Sequence, residues 1–120
     1  MPNAYHRVSF TIRDGISDND VIERFRRYRN LAVGKGYIKN SDDFSVGKVV
    51  IPAGGDDEVA KARQTMTGGF TWVFSVRLDG REGLDRFLQE SVADIHAVNL
   101  MELFPQPLAI MVHDHVDQLG

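Results

Sequence analysis

The chain contains no cysteine. That single absence removes disulfides, thiolate nucleophiles and cysteine-ligated metals, and it leaves the redox compartment open. No apolar run approaches the roughly 20 residues of a membrane span, so no membrane partner is expected. Positive charge is not in excess either. Fourteen lysines and arginines stand against 17 aspartates and glutamates, a formal charge of -3, and no global cationic field gathers nucleic acid. The opening residues, Met1 to His6, lack the basic segment and apolar block of a signal peptide, which makes a cytoplasmic location the expectation. The Gly54-Gly55 and Gly68-Gly69 pairs lack the Gly-Lys-Ser/Thr ending of a phosphate loop. At 120 residues, the chain is expected to form one domain over 1–120, with little material to spare for a deep private active site.

What the chain does have is one strongly aromatic strand. Over 70–78, Phe70, Trp72, Phe74, Val76 and Leu78 alternate with Thr71, Val73, Ser75 and Arg77, so one face is wholly apolar and the other mixed. Residues 5–12 alternate in the same way, with His6, Val8, Phe10 and Ile12 on one side. Ser17 and Asp20 have capping-box spacing at a helix start. The helix that follows carries Val21, Phe25, Tyr28 and Ala32 on one stripe and most of its arginines elsewhere, as a solvated face. A weaker strand is expected within 43–51, broken at Gly47. The stretch over 52–68 reads as a loop with a possible helical turn.

After Asp79-Gly80, Leu84, Phe87 and Leu88 predict a second helix, continued after a kink at Ser91–Asp94, where both residues can cap a new start. Pro105 and Pro107 end it, and residues 108–116 form the last strand. Strand, helix, strand, strand, helix, strand is the ferredoxin-like βαββαβ order. It implies an α+β fold in which a four-stranded antiparallel sheet carries its helices on one face. The opposite face, with Val73, Ala109 and Met111 among serines and threonines, is too apolar to leave wet. A second copy of the chain is expected to cover it.

His113 and His115 point the same way on a strand and invite a metal reading. No third ligand accompanies them, and neither a metal nor any other cofactor is expected.

His6-x-Val8-x-Phe10 in the first strand, Tyr28-x-Asn30-Leu31 late in the first helix, Gly69-Phe70-Thr71 before the aromatic strand, His96 in the second helical segment and Asp114 in the last strand follow an order and spacing that resembles the stress-responsive dimeric α/β-barrel (Dabb) family. The resemblance spans residues 6–114. It implies a homodimer, a dimeric α/β barrel of two face-to-face sheets, with a pocket in each subunit between sheet and helices. A small hydrophobic or aromatic ligand is the implied occupant, lined by His6, Val8, Phe10 and Phe25. Trp72, Phe74, Phe87, Ile110 and Val112 complete that lining.

Relatives of the polyketide-cyclase kind imply a catalytic role for His96 as general base and for Tyr28 as its partner. Two positions depart from those cyclases. Trp72 stands where they have a histidine and Phe87 where they have a tyrosine, so the implied pocket is drier and suits a ligand better than an aldol step. Three readings stand: a ligand-binding homodimer, a proton-transfer enzyme, and a structural oligomer whose cavity is filled by its own side chains.

Overall fold

The alternation in the aromatic stretch becomes the central wall of the molecule. In the computed structural model, which describes residues 2–50 and 57–119, strand β3 runs Trp72–Asp79 with its even residues buried and its odd residues half-buried or exposed. Strand β1, Asn3–Phe10, pairs with it antiparallel and in phase, Val8 opposite Phe74 and Phe10 opposite Trp72. Strand β2, Phe44–Lys48, flanks β3 on one side and β4, Ile110–Val116, flanks β1 on the other. The sheet order is therefore β2-β3-β1-β4, all antiparallel. Gly47 does not break β2, because it keeps its place opposite Val73.

Helix α1, Asp18–Gly34, starts where the sequence indicates: the Ser17 hydroxyl accepts a hydrogen bond from the Asp20 backbone N–H at 3.2 Å. Its buried residues are Val21, Phe25, Tyr28 and Ala32, one per turn on one side. Replacing Ser17 with alanine strands that N–H and is expected to cost about 1 kcal/mol in urea unfolding; an unchanged midpoint would mean the cap contributes nothing. Helix α2, Asp57–Met66, occupies the stretch read as a loop with a possible turn. Residues 51–56, which precede it, lie outside the described residues.

Helix α3, Gly80–Glu90, follows β3 with no intervening loop. Gly80 makes this possible with φ of +65°, which a residue bearing a Cβ adopts only under strain. The short helix α4, Val92–Ala97, and a 3-10 turn over Leu100–Leu103 complete the layer. All the helices that pack do so on the even-residue face of β1 and β3. Between them the rings of Phe10, Phe25, Tyr28, Phe44, Phe74 and Phe87 form one contact network with centroid spacings of 5.1–6.5 Å. No described helix is long and apolar enough to cross a membrane.

Candidate functional site

Strand register puts a histidine beside a carboxylate. His6 lies directly opposite Asp114 across the β1–β4 ladder, and both side chains point to the helix face. His6 Nδ1 donates to Asp114 Oδ1 at 2.6 Å. An ionised carboxylate only accepts, so the neutral ring carries its hydrogen on Nδ1 and its lone pair on Nε2. The ring is held edge-on to Phe74 at 5.6 Å and tilted against Phe87 at 5.5 Å, with its side chain about 10% exposed. Among the described residues, the one sealed side-chain nitrogen or oxygen without a hydrogen-bond partner is Asp94 Oδ2. His6 Nε2 makes no hydrogen bond there either, so it keeps contact with solvent. Asp114 also lines a surface groove of about 370 Å³ between α3 and β4, together with Leu84, Leu88, Val116, His115, Arg81 and Asp85.

A second polar cluster lies beneath α1. The Tyr28 ring is buried against Phe74 and Phe87, each 6.4 Å away. Burial pushes its phenol up to about 12; a side-chain hydrogen bond with Ser91 pulls the other way, and the nearby charge of Asp94 adds to the rise. Asp94 itself is fully buried. Its Oδ1 accepts from Lys35 Nζ at 2.5 Å, which raises the lysine pKa, while Oδ2 has no partner among the described residues. Phe74 and Phe87 touch both His6 and Tyr28, so these two rings separate the clusters.

His96, the base implied by the family resemblance, is exposed on α4. Asp94, two residues earlier, takes the inward position, because two residues turn a helix by about 200°. Ser91 and Asp94, expected to cap α4, are buried instead, and Ser91 makes no capping bond. The expected ligand-lining residues His6, Val8, Phe10, Phe25, Trp72, Phe74 and Phe87 are all buried in one core. Ile110 and Val112 are not among them: they lie on the edge strand, 36% and 48% exposed, since α3 packs over β1 and β3 and stops short of β4. Sequence reasoning assigned no role in a site to Asp114 or Lys35, and to Ser91 and Asp94 only that of capping α4. Asp114 was one of the family-like positions, and that was its only signal.

The protein At3g17210 from Arabidopsis thaliana superposes with a TM-score of 0.64 at 18% identity, over 93% of this chain and 92% of that one. A hydroxynitrile lyase from Passiflora edulis gives 0.62 at 14%, over 99% and 96%. A dimeric ferredoxin-like protein of unknown function from Thermobifida fusca gives 0.58 at 14%, over 97% and 92%. The chain has a ferredoxin-like fold. At such identities the likeness is one of fold and carries no activity with it. No protein-family profile matches the sequence, and no curated protein does.

Within this ferredoxin-like fold the His6–Asp114 pair occupies the seam between the central and edge strands, at the border of the aromatic core. At that position the His6 ring packs on Phe74 and Phe87 and is tied to Asp114, which opens onto the α3–β4 groove.

Proposed function

We propose that the protein is a homodimer of the stress-responsive dimeric α/β-barrel type, and that His6 and Asp114 move a proton on a small apolar or aromatic molecule seated in the α3–β4 groove. The observation that carries this reading is the 2.6 Å hydrogen bond from His6 Nδ1 to Asp114. It fixes ring and tautomer and leaves Nε2 as the acceptor, which is what a general base requires. The family resemblance implies His96 as the base; burial of His6 beside a carboxylate and exposure of His96 favour His6. The carbanion of an aldol closure and the hydroxyl proton of a cyanohydrin, the substrate type in the name of the Passiflora neighbour, both call for such a base. The dimer is supported by the solved neighbours described as dimeric and by the half-buried, uncapped side of the sheet.

A second reading, a structural oligomer without ligand, is favoured by the ring contacts that fill the space between sheet and helices. One experiment separates the two. Purified protein is screened with aromatic aldehydes, an aromatic cyanohydrin, aromatic acids and polyketide-type lactones, for thermal stabilisation and for turnover. The proposal expects at least one compound to bind and react. His6→Gln should lose turnover by tenfold or more while keeping its fold, and His96→Ala should behave as wild type. Loss confined to His96→Ala would move the base to that residue. No binding and no turnover with any compound would leave the structural reading.

A further inference from the structure

The side of the sheet away from the helices has a charge pattern that neither reading uses. Ladder register places Tyr5, Arg7 and Ser9 of β1, Val73, Ser75 and Arg77 of β3, Ser45 and Gly47 of β2, and Met111, His113 and His115 of β4 on that side. Its centre is small and weakly polar, suited to packing against another sheet. Arg77 is neutralised by Asp43, with Nε at 2.8 Å, and Asp79 at the strand end by Lys39 at 2.5 Å. Arg7 has no carboxylate among the described residues: it reaches Ser75 Oγ at 3.4 Å and lies 5.0 Å over the Tyr5 ring. His113 sits directly opposite Arg7, and His115 stacks on the same Tyr5 ring at 5.0 Å.

We propose that this face is where the second copy docks and that His113 and His115 make the docking sensitive to pH, holding the dimer together when their imidazoles are neutral and releasing it when they are protonated. The inference rests on the homodimer reading above. With both imidazoles neutral, the charges without an ion-pair partner among the described residues on the face are Arg7 and Asp117, which follows His115 on the same side and lies opposite Asn3, and they offset each other. Protonating both adds two more cations per copy, and the two-fold symmetry of a homodimer brings the same set from its mate.

Of the nearby acids, Asp117 alone has no ion pair among the described residues, its Oδ1 accepting from the Leu119 N–H at 2.9 Å; the others are already committed. Asp114, next to both histidines along β4 but on the other face, holds His6, and Asp85 of α3, across the groove from His115, pairs with Arg81. Asp43 serves Arg77. Burying three cations per copy against one carboxylate is costly, so dimerisation excludes protons and weakens as pH falls through the imidazole range, around 6.5 in free peptides.

The dissociation constant is measured by analytical ultracentrifugation at pH 8.0 and 5.5 at one ionic strength, with circular dichroism on the same samples. If one histidine per copy cannot be protonated in the dimer, each contributes about tenfold at one pH unit below that range, and the constant rises about a hundredfold. The double variant His113→Gln/His115→Gln should dimerise at both pH values, with a change under about threefold. A wild-type constant that does not move between the two pH values overturns the gate but spares the dimer. A pH effect that survives in the double variant, or acid dissociation that coincides with unfolding, overturns it too. A monomer at pH 8.0 at 100 µM (roughly the upper range of such measurements) removes the homodimer reading itself.

Discussion

Phe74→Ala is expected to destabilise the protein by about 3–5 kcal/mol, the cost of a large cavity in a core that cannot collapse around it. Phe74 is 5% exposed and its ring meets His6, Phe10 and Phe44 of the sheet and Phe25 and Tyr28 of α1. Whole domains of this size hold together by roughly 5–15 kcal/mol, so the variant should be marginal or unfolded at 37 °C. Urea unfolding with tryptophan fluorescence provides the measurement, since Trp72, two residues earlier on the same face, is the only tryptophan. A loss under about 1 kcal/mol would show that the ring network is not packed as described. It would also reopen the space between sheet and helices as a ligand chamber, at the expense of the α3–β4 groove.

Alkaline pH is the second strong lever. The Tyr28 phenol is raised from 10.0 to about 12, so between those values the unfolded chain loses a proton that the folded chain retains. Stability from this residue is complete below pH 10 and is lost as pH rises toward 12, because the folded state binds more protons there. Two units at ~1.36 kcal/mol each give about 2.7 kcal/mol in full, of which about 1.8 kcal/mol is lost between pH 9 and 11.5. Tyr28→Phe should remove that part of the alkaline loss, while the other tyrosines and the lysines titrate as before. Unfolding free energies measured at pH 9 and 11.5 for the two proteins would decide it. Parallel losses of equal size would mean that the Tyr28 hydroxyl meets water in the folded state.

Both predictions concern residues whose burial is legible in the sequence. The stripe Val21, Phe25, Tyr28, Ala32 and the even face of β3 follow from the two periodicities of helix and strand, and the element order follows from where those periodicities change. Phase is harder to read after an interruption. A turn at Ser91 ends α3, and α4 restarts with its own rotation, which is why Asp94 rather than His96 faces Tyr28. The edge was equally hard to read: the pattern of β4 says which residues share a face, and nothing local says that the helices leave Ile110 and Val112 uncovered.

The sequence by itself determined the ferredoxin-like order of elements, the aromatic wall and the side of α1 that meets it, because these depend on neighbours two to four positions apart. Only the tertiary structure decided which polar groups meet. His6 and Asp114 are 108 positions apart, and Lys35 and Asp94 are 59 apart. Such pairs are set by ladder register and helix rotation, which arise from packing the whole chain and leave no trace in local spacing.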